Sequence, residues 1–134
     1  MREAKSFIDT NVLLYLLSAD TAKADRAEEV IRNGGVVSVQ VLNELASVAT
    51  RKLKMPMADV RQILDTIRAV CVVVPLTEEA HVRGLDIAER YRLSIYDAMI
   101  VSAALLANCA TLWSEDLHHG LVVEQRTTVR NPFH

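Results

Sequence analysis

Short apolar runs alternate along this chain with longer stretches whose apolar positions recur at helical spacing. Four runs read as buried strands: Lys5–Asp9, Val36–Val39, Cys71–Val74 and Thr111–Ser114. Between them the pattern predicts helices. The first spans Asn11–Leu17, with Thr10 or Asn11 as its cap, and a second runs from Asp20 or Thr21 to about Arg32 and stops at Asn33-Gly34-Gly35. A third covers Gln40–Leu53, where Val41, Leu42, Leu45, Val48, Ala49 and Leu53 share a face, and Pro56 ends it. A fourth covers Ala58–Ala69. A fifth opens at Thr77 with Glu78 and Glu79 and reaches about Tyr91. The sixth, Ile95–Asn108, is capped by Ser94 and is apolar nearly all round, which makes it central. Leu121–Val123 and Thr127–Val129 read as a short terminal strand or hairpin.

Strands this short, alternating with helices, imply an α/β fold: a central parallel sheet of four to five strands flanked by helices, as one domain over residues 1–134. Ligands on such sheets bind beyond the carboxyl ends of the strands. Four acids fall at that edge. Asp9 ends the first strand, and Asp116 lies two residues past the fourth. Asp97 sits at the start of the helix that feeds back into the fourth strand. Glu44 is in the second turn of the helix leaving the second strand, an acid within the stripe of Val41 and Val48.

Singly, each acid has a plain role. Asp9 suits a helix cap, Ser94-x-x-Asp97 fits a capping box, Glu44 a solvated helix margin and Asp116 a turn beside Ser114. Jointly, four converging carboxylates repel one another and raise each other's pKa unless a cation stands among them. Oxygen donors without sulfur or paired histidine suit Mg2+ or Mn2+, ions that activate water and clamp phosphodiester oxygens. The residues therefore point to metal-dependent phosphoryl transfer or a nuclease.

Composition agrees with a folded domain: 51% hydrophobic, 24% charged and only 4% aromatic, so the core is mainly aliphatic. The net charge of −2 does not announce a nucleic-acid binder. With the four acids neutralised, however, 13 acids face 15 bases and the remaining surface is +2. Cys71 and Cys109 are isolated and read as small buried hydrophobes, not zinc ligands. Val12–Leu17 is too short, and too closely preceded by Asp9 and Asn11, for a signal peptide, and Ala98–Ala107 falls well short of the roughly 20 apolar residues of a membrane span. The chain reads as soluble and cytoplasmic, with no membrane partner.

The segments Phe7-Ile8-Asp9-Thr10-Asn11, Val41-Leu42-Asn43-Glu44-Leu45, Tyr96-Asp97-Ala98-Met99-Ile100-Val101-Ser102-Ala103-Ala104 and Leu112-Trp113-Ser114-Glu115-Asp116-Leu117, in this order and this βα setting, resemble the PIN-domain ribonucleases, and within them the VapC-type toxins of bacterial toxin–antitoxin pairs. The resemblance extends to Asn131-Pro132-Phe133. It implies an endoribonuclease using Mg2+ or Mn2+, an RNA substrate, a cognate antitoxin and a homodimer. By motif match Asp9, Glu44, Asp97 and Asp116 form the acidic catalytic and metal-binding set, with Asp9 and Asp97 as its firmest ligands. Thr10, Asn11 and Ser114 orient the carboxylates, Ser114 standing where many relatives have Thr.

Other residues carry less. Tyr96 is expected to close the core, with base stacking as the alternative. Arg51, Lys52 and Lys54 cluster at a helix end and have the chemistry to meet phosphates. His118 and His119 read as loop histidines and His81 as structural. Two readings compete with the nuclease. One is phosphotransfer to Asp9, against which Asn11 stands where an aspartate-based phosphatase has its second acid. The other is a non-catalytic acidic groove for a basic partner.

Overall fold

A computed structural model describes residues 5–134. Its strands are β1 (Ser6–Ile8), β2 (Val36–Ser38), β3 (Val72–Val74), β4 (Thr111–Trp113), β5 (Val122–Val123) and β6 (Thr127–Arg130). Its helices are α1 (Thr10–Leu14), α2 (Thr21–Arg32), α3 (Val39–Arg51), α4 (Met57–Val70), α5 (Glu78–Tyr91) and α6 (Ile95–Leu106). All six strands join one sheet in the order β3-β2-β1-β4-β6-β5. The first five in that order run parallel, and only β5 pairs antiparallel, to β6. The sheet thus reaches the upper end of the expected strand number and adds a two-residue edge strand.

The helices begin where side chains can satisfy their first N–H groups. Asp20, Ser38, Thr77 and Ser94 accept from the third residue along: Lys23 N–H at 3.2 Å, Val41 N–H at 3.3 Å, Ala80 N–H at 3.0 Å and Asp97 N–H at 3.2 Å. Ser38 caps α3 from within the sheet, so β2 ends one residue earlier than its apolar run suggests and Val39 is already helical. The first helix is tighter than periodicity predicts. It breaks after Leu14 into a 3-10 turn over Tyr15–Leu17, and its cap is Asp9 itself, not Thr10 or Asn11.

The central position of α6 follows from its composition: Ala98–Leu105 are all buried. Gly84 lets α5 lie against α6, since a Cβ there would fall 2.5 Å from Met99 Sδ. Phe7, Ile8, Val37, Leu112 and Val129 form the buried sheet interior, with Val41 and Leu45 of α3 packed on it. Cys71 and Cys109 are buried within this core, and burial pushes both thiols up to about 11. Among the described residues no helix is long and apolar enough to cross a membrane.

The order of connections sets where a crevice can open. From β1 the chain builds outward through β2 and β3, then crosses to the other side of β1 to lay down β4. The strand order reverses between β1 and β4, and a crevice opens at the carboxyl ends of two such strands.

Candidate active site

Asp9 follows β1 directly and lies at that reversal. Its N–H donates to the carbonyl of Trp113, the last residue of β4, at 2.9 Å. The residue is 5% exposed. Oδ1 accepts from Thr10 N–H at 2.7 Å, while Oδ2 accepts from Ser114 Oγ at 2.8 Å and from Asn11 Nδ2 at 3.2 Å. Three donors nearly saturate a carboxylate that burial would otherwise penalise.

They do not fully compensate. Burial pushes the Asp9 carboxyl up to about 6; the bonds from Ser114 and Thr10 oppose the shift, and the carboxylates of Glu44 and Asp97 add to it. Chain segments far apart in sequence thus bring three of the four predicted acids into one electrostatic neighbourhood.

Glu44 is half-buried, and its Oε1 accepts from Thr10 Oγ1 at 3.3 Å and Gln40 Nε2 at 3.2 Å. Gln40 is itself buried and donates also to the Tyr96 carbonyl at 3.1 Å, joining the start of α3 to the start of α6 beside Asp97. Spacing and motif do not single out Gln40. The available signal is a polar side chain one turn before Glu44, on the helix's buried side. Asp97 is half-exposed. Its N–H is spent on the Ser94 cap, but its carboxylate makes no return bond among the described residues, so half the predicted capping box is missing and the acid is free.

The two β4-side acids differ. Asp116 is exposed, and it is not among the charges that act on Asp9. Its neighbour Glu115 is fixed instead: Tyr15 Oη donates to Glu115 Oε1 at 2.7 Å, and Lys23 Nζ reaches Oε2 at 3.3 Å and Tyr15 Oη at 3.1 Å. Asn11 completes the loop. Its Oδ1 accepts from Glu115 N–H at 3.0 Å, while Nδ2 lies 3.3 Å from Ser114 Oγ. One amide therefore ties Asp9, Ser114 and the segment leading to Asp116.

Tyr96 does not close the core. It is 72% exposed, because the first turn of α6 projects at the sheet edge and the following residues fill the interior. His118 and His119 are exposed; His119 Nδ1 accepts from Asn131 N–H at 2.9 Å and its ring stacks on His134 at 4.2 Å, away from any bond to the acids. His81 is exposed on α5, and Arg51, Lys52 and Lys54 are exposed at the α3–α4 corner.

By type, the donors fit a hard divalent cation: carboxylate and hydroxyl oxygens around a buried acid whose charge is disfavoured first by burial and then by Glu44 and Asp97. By spacing they stand wider than a finished ligand set. Among the described residues no group of three or more His, Cys, Asp or Glu is close enough to hold a metal ion.

The fold is shared with three solved structures. A toxin–antitoxin complex from Klebsiella pneumoniae superposes with a TM-score of 0.73 at 16% identity, covering 96% of this chain and 98% of that one. A DNA-bound VapBC from Salmonella typhimurium gives 0.71 at 16% identity, covering 97% and 99%. VapC20 from Mycobacterium tuberculosis, described as a Sarcin-Ricin loop cleaving toxin, gives 0.68 at 18% identity, covering 84% and 90%. Comparison with curated protein sequences gave no match. The sequence itself matches the PIN domain over residues 6–122, the span from β1 to β5 that contains all four acids, and on that match the chain belongs to the PIN domain family.

Proposed function

We propose that this protein is a metal-dependent endoribonuclease acting as the toxin of a toxin–antitoxin pair. The observation that carries the reading is the buried Asp9 carboxylate, at the β1/β4 reversal of a PIN-domain sheet, with Glu44 and Asp97 acting on it. Asp9, Glu44, Asp97 and Asp116 would hold Mg2+ or Mn2+, with Asp9 and Asp97 as the firmest ligands. Such an ion, when bound, supplies an activated water and neutralises charge on the phosphodiester.

The chain's own residues do the rest. Thr10 N–H, Ser114 and Asn11 fix both oxygens of Asp9, so its orientation is set before any ligand arrives. Thr10 Oγ1 and Gln40 hold one oxygen of Glu44 and leave the other free to accept a proton or a ligand. Asp116, exposed on the loop that Asn11 and Glu115 anchor, would meet the substrate from the solvent side.

The solved toxin–antitoxin assemblies of the same fold support a protein antitoxin as partner. A basic antitoxin side chain meeting Asp97 would be a charge-assisted contact. A homodimer belongs to the same reading.

The test is cleavage of structured and single-stranded RNA by the purified protein with Mn2+ or Mg2+. Cleavage should vanish with EDTA and with Asp97→Asn, while circular dichroism of the variant stays unchanged. Cleavage that survives both would refute the proposal. Saturable Mn2+ binding without any cleavage would leave only a binding groove.

A further inference from the structure

One face of α3 is polar from end to end. Gln40, Glu44, Ser47 and Arg51 succeed one another at intervals of four, three and four residues, which places them in one row. The row is bonded within itself: Gln40 donates to Glu44, and Arg51 Nη1 donates to Ser47 Oγ at 3.4 Å. Exposure rises along it. Gln40 is buried, Glu44 and Ser47 are half-buried and Arg51 is exposed. Val41, Leu45 and Ala49 give the same helix its core side. The stripe begins among the carboxylates and ends at a cation about 10 Å beyond Glu44 along the axis.

Beyond Arg51 the chain turns into α4, and the turn is basic. Lys52, Lys54 and Arg61 are exposed and form no ion pair among the described residues, and Asp59 is the only acid between positions 51 and 61. Lys23, Arg26, Arg68 and Arg83 are each paired with an acid, while Lys5, Arg32, Arg90, Arg92, Arg126 and Arg130, like the corner cations, are not among the described residues; what distinguishes the corner is the run of cations within four residues, Arg51, Lys52 and Lys54, at the end of Glu44's helix. Lys54 stands at φ 55°, in the left-handed region that favours glycine. Lysine carries some backbone strain there, as Arg92, Asn108, Glu124 and Gln125 do at their own left-handed positions.

We propose that this stripe and corner form the track along which an RNA strand leaves the acidic site, with Arg51, Lys52 and Lys54 contacting phosphates beside the bond to be cut. The inference rests on the nuclease reading and names how its substrate is held. Carboxylates at a cleavage site repel the phosphate backbone, and a chain of net charge −2 offers no general attraction to offset that. Fixed cations must hold the strand, and Arg51 is the exposed cation on Glu44's own face of α3. No aromatic residue lies between 51 and 61, so the track grips the backbone without reading bases.

The experiment uses the full chain and a labelled single-stranded RNA. Cleavage with Mn2+ is followed across a salt series, and binding of the same RNA is measured in EDTA. Arg51→Gln and Lys54→Gly should each raise KM by about fivefold at low salt and lower the salt slope of binding by about one, with kcat within about twofold. Lys54→Gly should also leave Tm unchanged or higher, because it relieves the left-handed residue. A purely structural role for Lys54 predicts that stability and RNA affinity move together. If the unaltered protein cleaves RNA but both variants keep its KM and salt slope, the track is refuted, and the corner, with exposed Leu53 and Met57, is left to an acidic protein partner. If the unaltered protein does not cleave, the nuclease reading fails, and the EDTA binding series still decides: a reduced slope in the variants supports the track, and an unchanged slope overturns it.

Discussion

The hydroxyl of Ser114 donates to Asp9 Oδ2 at 2.8 Å across 105 residues of sequence. Both groups are buried, and the same oxygen of Ser114 accepts from Leu117 N–H at 3.3 Å. The bond thus secures the acid at the end of β1 and turns the chain after β4. Ser114→Ala removes a donor to a buried carboxylate and should cost about 1–3 kcal/mol, read by urea denaturation at pH 7 in EDTA. A variant as stable as the parent would show that Asp9 finds other donors.

Asp9 makes stability depend on pH with a definite sign. Its carboxyl is raised from 3.8 to about 6, so between those values the folded chain keeps a proton that the unfolded chain has lost. Stability from this group is fully present below about pH 4 and is lost as pH rises through about 6, by roughly 3 kcal/mol. In metal-free buffer, Asp9→Asn should therefore flatten the fall in stability between pH 4 and 7 and leave the protein at least as stable at pH 8. Denaturation midpoints at several pH values check this. Unfolding of the variant at pH 8 would mean that Asp9 serves mainly as the cap of α1.

Gln40 bridges Glu44 and the Tyr96 carbonyl, and so α3 to α6. Gln40→Ala should lower RNA cleavage by about 10–100-fold through the lost orientation of Glu44, with KM changed less than kcat. Steady-state kinetics with Mn2+ separates the two. An equal loss in Tm and rate, both recovered at lower temperature, would reduce Gln40 to a structural tie.

The α5–α6 contact yields a prediction independent of the site. At Gly84 an added Cβ would lie 2.5 Å from Met99 Sδ and 2.8 Å from its Cε. Overpacking costs about 1–3 kcal/mol, partly offset by about 1 kcal/mol of helix propensity gained on replacing glycine. The close atoms are the movable tip of Met99, whose Cα lies at an ordinary 3.6 Å, so the two effects should nearly cancel: Gly84→Ala should change stability by no more than about 1 kcal/mol, and Met99→Ala should cost less in its presence than alone. A double-mutant cycle by chemical denaturation gives the coupling; additive effects would show that Met99 moves aside freely.

Local pattern carried the architecture. Strand and helix alternation, the caps Asp20, Thr77 and Ser94, and the buried character of α6 are all set by residues within one or two turns of each other, so spacing alone reveals them, whereas Ser38, inside an apolar strand run, caps α3 unannounced. Spacing also placed Asp9, Glu44 and Asp97 at one edge. It failed for Tyr96, because an aromatic residue beside an apolar run is core or surface according to which turn faces the sheet. It failed for Asn11 as a cap, because Asn11 is drawn across to Ser114 and Glu115.

What the sequence determined by itself was the α/β class, the element order and the set of acids at the carboxyl edge, because each is written in short-range periodicity. What the tertiary structure decided was how those acids are held. The reversal between β1 and β4 buries Asp9 against Ser114, Gln40 reaches a carbonyl 56 residues away to link two helices, and Glu115 locks to Tyr15 and Lys23 while Asp116 stays in solvent. These pairings depend on strand order, which non-local packing fixes and no local spacing encodes.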